Sequence, residues 1–416
     1  MRFESISKKQ AEIFKFMAEP YYALICDGSV RSGKTTMMVI AFIEWAMAKF
    51  SNCNFAICGK TVRSAERNII APTQSIASMR KKYTMVYTRS VSLLTVTKGN
   101  KTNNFYVFGG KDEASYMLIQ GITLHGVLFD EVALMPRSFV EQAITRTLSV
   151  DSAKLWFNCN PESPQHWFYK EWIQEAEKHN AKHIHFLMED NPGNSAKAME
   201  KAKTNFVGVF YQRYILGLWV VAEGLIYTAF SPENITSEIP EDGQYYISVD
   251  YGTLNPFSAG LWCVADKKAT RIKEFYYSGR DRQAQKTDEE YYAELDKLAS
   301  YIDEDGDKAY YPIQSIVIDP SAASFIACIR RHGQFNVTPA VNDVLNGIRY
   351  VSSLLNNQKI MIHESCKDAI EEFGQYSWDE KSNEDRPVKQ SDHAMDDIRY
   401  FANTILRRVF RWDIWG

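Results

Sequence analysis

The chain is poor in the features that mark several protein classes. Its seven cysteines lie scattered through 416 residues with no C-x-x-C pair, which argues against both a zinc site and a disulfide framework and suits a reducing cytoplasm. No basic leader precedes an apolar segment at the N-terminus, so no export signal is expected. The longest apolar stretch, Met37 to Phe50, contains Glu44 and is too short to span a bilayer. A strong excess of either charge is also missing, with a net charge of −3. What remains is ordinary for a soluble globular protein, 45% hydrophobic and 24% charged. The length exceeds what one core usually supports, so about two domains are expected. The near-neutral total hides an asymmetry: residues 1–239 carry 27 Lys and Arg against 22 Asp and Glu, and residues 240–416 carry 21 against 29. The first half suits mild contact with DNA, and the second suits carboxylates awaiting cations; uneven surface charge without meaning explains the same numbers.

One stretch organises the chain. Gly28-Ser29-Val30-Arg31-Ser32-Gly33-Lys34-Thr35 fits G-x-x-x-x-G-K-[ST] at every fixed position. It follows the short apolar strand Tyr21 to Cys26 and precedes helical apolar spacing from Thr36 to Phe50, the context a P-loop requires. The loop glycines turn backbone N–H groups towards a phosphate chain at the positive end of a helix. Ser29, Arg31, Ser32 and Thr36 belong to this cradle. Lys34 would reach the β- and γ-phosphates and the Thr35 hydroxyl would hold Mg²⁺, so ATP is the expected ligand. Upstream, Gln10 precedes a helix read as Ala11 to Ala18 and has two readings, an adenine contact or a surface residue.

The second strong signal lies about 95 residues beyond Lys34. Gly126-Val127-Leu128-Phe129-Asp130-Glu131 is an apolar strand ending in two carboxylates, a Walker B pattern. Asp130 would hold Mg²⁺ and Glu131 would polarise the attacking water. The strand Lys154 to Phe157 ends in Asn158-Cys159-Asn160-Pro161, so Asn158 or Asn160 could sense the γ-phosphate, or both could serve a strand-end turn. Arg31 sits within the P-loop, placed to stabilise phosphoryl charge in cis; Arg146 would do so in trans across a subunit interface, or is a surface arginine. Between these motifs a helix is expected from Val62 to Lys82, and Val91 to Val96 with Asn104 to Phe108 reads as a hairpin. Lys201 to Trp219 reads as another helix. Turn-prone residues around Pro232, Pro240 and Gly243 mark a linker, dividing the chain into 1–225, a linker 226–243, and 244–416.

The second half opens on Tyr245 to Val249, a strand ending in Asp250-Tyr251-Gly252. Two strands follow as an antiparallel meander, Phe257 to Val264 and Thr270 to Tyr277. A helix is expected from Asp288 to Tyr301, then the strand Ser315 to Ile318 ending in Asp319, and last a helix opened by Ser391-Asp392-His393-Ala394-Met395-Asp396. This order resembles the RNase H-like nuclease fold. Three carboxylates, Asp250, Asp319 and Asp396, would converge to hold two divalent cations, Mg²⁺ or Mn²⁺ rather than zinc. His393, three residues before Asp396, can face the same site. Asp392 also suits a helix N-cap, and Asp397 points elsewhere, as a surface or pairing residue.

A P-loop ATPase joined to an RNase H-like nuclease resembles the large terminase subunit of tailed bacteriophages. The motifs carrying the resemblance are GSVRSGKT, LFDE, the N-C-N-P strand end followed by His166-Trp167, ISVDYG with Asn255-Pro256, IVIDPS and DHAMDDIRY. The resemblance implies an α/β protein: an ASCE-type P-loop ATPase with a mostly parallel sheet, followed by an RNase H-like α/β domain. It implies ATP-driven packaging of double-stranded DNA into a procapsid and endonucleolytic cutting at the start and end of packaging. Asn158 to Pro161 falls where the family has its coupling motif, with Asn158 where Thr or Ser is common. A ring of subunits, commonly a pentamer, on the portal protein and a small terminase subunit as DNA supplier are further implications, as is residence in the host cytoplasm. An ATP-regulated host repair or restriction nuclease and a nucleotide-binding assembly factor are the competing readings. At this modest charge, weak and salt-sensitive DNA binding by a single chain is expected.

Overall fold

The computed structural model describes residues 5–410 except 241, 253–255, 279–283, 381 and 383, so Asn255 lies outside the described residues. The chain forms two compact units: residues up to 203 with 211–221, and residues 204–210 with those from 222 onward.

The first unit is built on an eight-stranded sheet: β1 (Ala23–Gly28), β2 (Asn54–Gly59), β3 (Thr84–Thr88), β4 (Leu93–Lys98), β5 (Lys101–Gly109), β6 (Gly126–Asp130), β7 (Lys154–Asn158) and β8 (Ala181–Phe186). Their spatial order is β3-β4-β5-β2-β6-β7-β1-β8. From β5 to β8 every pairing is parallel. Parallel strands covered on both faces read as continuous apolar runs, and β1, β6 and β7 are buried at every residue. β7 lies between the P-loop strand β1 and the Walker B strand β6, the additional-strand arrangement expected. The expected hairpin is present as β4 and β5, paired antiparallel with Lys98 opposite Lys101. The P-loop helix, Lys34–Lys49, is buried nearly all round, because Phe42 and Trp45 pack against Phe55, Phe105 and Trp156 across the sheet.

Three helices differ from expectation. The first runs Lys8–Lys15, and Gln10 lies inside it as the third residue of a capping box with Ser7. The run Val62 to Lys82 is broken into Val62–Ala65, a π turn Glu66–Ile70, Ala71–Ser75 and Ala77–Lys82. Pro72 cannot donate a helical hydrogen bond, and Ile76 is extended with ψ 120°. The run Lys201 to Trp219 divides into Ala196–Thr204 and Gly208–Tyr214, because Gly208 and Gly217 take φ of +56° and +71°.

The second unit carries a seven-stranded sheet of β9 (Ile235–Thr236), β10 (Gln244–Asp250), β11 (Phe257–Ala265), β12 (Lys268–Tyr277), β15 (Ile313–Ile318), β16 (Val337–Pro339) and β17 (Ile360–His363); β13 (Ser300–Ile302) and β14 (Lys308–Tyr310) form a separate small hairpin. The order is β16-β15-β10-β11-β12-β17-β9. β10, β11 and β12 form the expected antiparallel meander, and β15 joins β10 in parallel. Part of the stretch 226–243 thus belongs to this sheet, since β9 pairs with β17.

The helix His393–Phe401 packs across β10 and β11 and is anchored by Asp397. That carboxylate is fully buried, not at the surface. It accepts from the Ser248 hydroxyl at 2.7 Å, from the Ser258 hydroxyl, and from two nitrogens of Arg271 at 2.5 and 3.1 Å. Arg271 reaches it over Gly260, where a Cβ would lie 2.1 Å from a guanidinium nitrogen. Only glycine admits the arginine.

Candidate active sites

In the first unit the P-loop closes on itself. Gly28 and Gly33 have φ of +120° and +82°, and a Cβ on Gly28 would fall 1.9 Å from the Phe186 carbonyl. Lys34 Nζ donates to the carbonyls of Gly28 (3.1 Å) and Ser29 (2.7 Å), to Ser32 Oγ (3.2 Å) and to Asn160 Oδ1 (3.3 Å). Burial pulls the ammonium pKa down, against the opposing pull of Cys159, Asp27, Cys26 and Asp130. The Thr35 hydroxyl donates to Asp130 Oδ1 at 2.9 Å, and Asn158 Nδ2 donates to Thr35 Oγ1 at 2.7 Å and to the same Asp130 oxygen at 2.5 Å. Burial pushes the Asp130 carboxyl up, although both donors oppose it. Two buried polar atoms here lack partners, Ser29 Oγ and Asn158 Oδ1. Buried polar atoms are ordinarily satisfied, so these orphans fit a polar ligand in the loop. The oxygen set of Thr35 and Asp130 fits a hard divalent cation.

The other residues singled out in this unit are placed as follows. Glu131 holds a left-handed backbone at φ +59° directly after Asp130, a strain of the kind stored at functional sites. Arg31 has the same φ, an exposed side chain, and a carbonyl held by Asn191 Nδ2 and Asn194 Nδ2, both at 2.9 Å. Thr36 lies in the first turn of the P-loop helix. Arg146 caps the helix Arg137–Thr145, and its carbonyl accepts from Leu124 N at 3.0 Å. Gln10 is 1% exposed; its Oε1 accepts from Ser7 N and its Nε2 donates to the Ser32 carbonyl. Its amide therefore braces the P-loop.

Sequence reasoning missed Asp27, immediately before Gly28. This buried carboxylate accepts from His183 Nε2 (2.8 Å), His185 Nδ1 (3.0 Å) and Trp219 Nε1 (2.8 Å). Burial pushes its pKa up, yet the two histidines together hold it below the usual carboxylate range. The alternating His-Ile-His of β8 was the available signal, since residues two apart share a strand face.

In the second unit the register does the assembling. Val249 of β10 lies opposite Ile318 of β15 in a parallel pair, so Asp250 and Asp319 leave adjacent strand ends side by side. The helix His393–Phe401 brings the third carboxylate. All three, Asp250, Asp396 and Asp319, act on Tyr400, whose hydroxyl is raised first by burial and then by them. Asp250 is pushed up to about 6 by burial, with Asp396 adding to the rise and His393 opposing it. His393 Nδ1 lies 2.8 Å from Asp250 Oδ2. Its imidazole pKa is raised: burial lowers it, but Asp250 together with Asp392 and Glu372 outweighs burial. Asp319 Oδ1 accepts from Ser321 N (2.8 Å) and Oδ2 from Asn342 (2.6 Å). Burial raises that carboxyl and these donors hold it below its usual range.

Cations and caps missed in the sequence complete the site. Arg399, one turn beyond Asp396, donates to its Oδ1 at 2.8 Å, and Lys389 lies 3.6 Å from its Oδ2 and 3.3 Å from Asp392. Asp392 stands at the N-cap of the helix without capping it. Glu372 does that work, accepting from Ala394 N at 2.7 Å and Met395 N at 3.3 Å. Burial pushes Glu372 up to about 7, although the Tyr276 hydroxyl and these N–H groups oppose the shift. A cluster of carboxylate oxygens in which burial and like charge raise a carboxyl pKa fits divalent cations of the Mg²⁺ and Mn²⁺ class.

The sign of these shifts sets a pH dependence. Asp250 and Glu372 bind protons more tightly folded than unfolded, so their contribution is full below the ordinary carboxylate range and is lost as pH rises through about 6 and about 7. Asp27 and Asp319, shifted the other way, contribute fully across this window and lose their contribution only as pH falls below the usual carboxylate range. In EDTA, unfolding free energy is expected to fall between roughly pH 5 and 7.5, by up to about 2 kcal/mol per pH unit at the low end, where both groups act. Glu372→Gln should flatten the slope. Denaturant titrations at fixed ionic strength check this, and a stability rising across that window contradicts it.

Comparison with known proteins gives a consistent answer. The family model for the terminase large subunit, T4likevirus-type, N-terminal, matches residues 25–300. The large terminase of a thermophilic bacteriophage is 46% identical, with a TM-score of 0.90 over 97% of this chain and 100% of that one. The same phage protein in complex with ATP-gamma-S is 45% identical, with a TM-score of 0.87 over 97% of this chain and 100% of that one. The large terminase subunit of Escherichia phage T5 is 28% identical over 103 residues, 23% of this chain and 24% of that protein. The chain thus aligns with about a quarter of that curated relative's length. The α/β fold expected from the motifs is the fold observed, and the chain belongs to the phage terminase large subunit family.

Proposed function

We propose that this chain is the motor and nuclease subunit of a DNA-packaging machine: ATP hydrolysis drives double-stranded viral DNA into a procapsid, and a metal-dependent endonuclease cuts it at initiation and termination. The observation that carries the reading is that one polypeptide holds two separate carboxylate sites. One joins Lys34, Thr35, Asp130 and Asn158 at a P-loop; the other joins Asp250, Asp319, Asp396 and His393 at a sheet end.

At the P-loop, Ser29, Arg31, Ser32, Gly33 and Thr36 shape the cradle and Lys34 binds the β- and γ-phosphates. Thr35 and Asp130 would hold Mg²⁺. Glu131 takes a proton from the attacking water. Asn160 senses the γ-phosphate through its bond to Lys34, and Asn158 passes the change at Thr35 and Asp130 onward. Arg31 in cis and Arg146 from a neighbouring subunit stabilise phosphoryl charge. At the sheet end, Asp250, Asp319 and Asp396 would hold two Mg²⁺ or Mn²⁺ ions, which supply activation of water and stabilisation of the leaving oxygen. His393 orients Asp250 through its Nδ1.

The working form is a homo-oligomeric ring, most simply a pentamer, docked on the portal protein in the host cytoplasm and supplied with DNA by a small terminase subunit. No helix among the described residues is long and apolar enough to cross a membrane. The test is ATP hydrolysis with and without procapsids that carry the portal. The expected result is strong stimulation, with DNA becoming resistant to added nuclease, both lost in Lys34→Ala and Glu131→Gln. Hydrolysis indifferent to procapsids, with ATP gating cleavage instead, would favour an ATP-regulated host nuclease.

A further inference from the structure

One set of metal-ligating side chains in the second unit takes no part in the carboxylate site. Glu289 stands in the first turn of the helix Asp288–Leu298, and Cys328 and His332 stand four residues apart on the helix Ala323–His332. One ligand atom from each lies within 4.8 Å of the other two. Cys328 is 2% exposed while Glu289 and His332 are exposed, so the cluster has a closed floor and an open side.

Three features prepare it for a cation. His332 Nε2 already points at Glu289 Oε2 across 2.7 Å, and the imidazole is stacked on the Tyr292 ring at 3.7 Å and 7°, which sets its plane. Arg331 is bonded to the other carboxylate oxygen, Oε1, so Oε2 is the oxygen that faces His332. His332 ends its helix, where unsatisfied carbonyls place partial negative charge. The donor set decides the class. A thiolate, an imidazole and one carboxylate oxygen suit zinc, whereas Mg²⁺ and Mn²⁺ take oxygen shells. Tetrahedral zinc at its usual bond lengths places ligand atoms about 3.5 Å apart, within reach of this cluster by small side-chain rotations.

We propose that Glu289, Cys328 and His332 form a binding site for a zinc-class divalent cation, with water as fourth ligand. Such an ion staples two helices that support the carboxylate platform. The helix Ala323–His332 follows Asp319, and the other helix supplies Asp288, which accepts from the Tyr251 hydroxyl at 2.6 Å, next to Asp250. Binding displaces the Cys328 proton. Uptake therefore weakens as pH falls.

The test uses Co²⁺ on the intact, chelator-stripped chain, because a thiolate ligand to Co²⁺ gives a near-ultraviolet charge-transfer band that carboxylate-bound Co²⁺ lacks. The expected result is one thiolate-bound equivalent per chain, displaced by Zn²⁺, with Zn²⁺ also raising Tm. The band is lost in Cys328→Ser and in His332→Gln, the latter a change at an exposed position that leaves the core intact. It persists in Asp250→Ala, which separates it from metal at the nuclease carboxylates. Absence of the band from folded wild type, its survival in either ligand variant, or its loss in Asp250→Ala overturns the proposal.

Discussion

Replacing Asp250 by alanine is expected to abolish metal-dependent plasmid cleavage, by about a thousandfold or more, while ATP hydrolysis stays within about twofold of wild type. Asp250 is the carboxylate that the site is built around. It ends β10 beside Asp319, receives His393, and carries the shift that burial and Asp396 impose. In the proposed role it would be one of the residues holding the cations, so the loss should fall on chemistry more than on substrate binding. The assay compares wild type, Asp250→Ala and Lys34→Ala with Mn²⁺, Mg²⁺ or EDTA, and a melting curve for each confirms the fold. Lys34→Ala is expected to cut without ATP. Cutting by Asp250→Ala at the wild-type rate would remove this carboxylate from the chemistry, and an inactive Lys34→Ala would deny the nuclease its autonomy.

The largest expected effect on stability belongs to the residue next to a proposed ligand. Asp397→Ala should cost about 3–5 kcal/mol, because it strips a fully buried guanidinium of its two-point partner and leaves only Glu274, 3.5 Å from Nε. Arg271 and Asp397 are both 0% exposed, and Ser248 and Ser258 complete the hydrogen bonding. Burial pulls the Arg271 pKa down, and Asp397 and Glu274 more than restore it. Denaturant unfolding of the full chain, followed by a probe in the second unit, measures the loss. A cost below about 1 kcal/mol would show that Arg271 finds water or another partner. Pairing Asp397→Leu with Arg271→Met should recover part of it, since replacing both charges removes their desolvation cost but leaves the buried Glu274 without its cation. Because Asp396 and Asp397 are adjacent on one helix, this ion pair also sets where Asp396 points.

The two sites differed in how far the sequence revealed them. GSVRSGKT and LFDE could be read because each places its functional atoms by local backbone geometry: a strand, a tight turn and a helix N-terminus lie within a few residues. Asp250, Asp319 and Asp396 required an ordered set of elements, since the register between β10 and β15 joins residues 69 apart. The structure brings all of these together, and their chemical roles are what the assays above decide.

Other contacts had no local signature. Gln10 carries the polar amide that base recognition uses, yet its capping-box position turned that amide inward to Ser7 and Ser32. Asp397 left two readings open, surface or pairing; only a partner on another strand, Arg271, selects the second. Glu372 caps a helix that begins more than 20 residues later, where helix-start patterns assign Asp392. The Cys328, His332 and Glu289 cluster holds a single cysteine, so no C-x-x-C marks it, and Glu289 joins it from a different helix.

By itself, then, the sequence determined the class of each half, the nucleotide loop and the order of the strand-end carboxylates. Those features follow from short-range rules: apolar periodicity, glycine at left-handed φ, and fixed motif spacing. The tertiary structure alone decided which polar groups are neutralised, which are left orphaned and which are strained. Those properties depend on burial and on partners distant in the chain, and a buried charge or hydroxyl acquires its energy from whatever packing brings within hydrogen-bond reach.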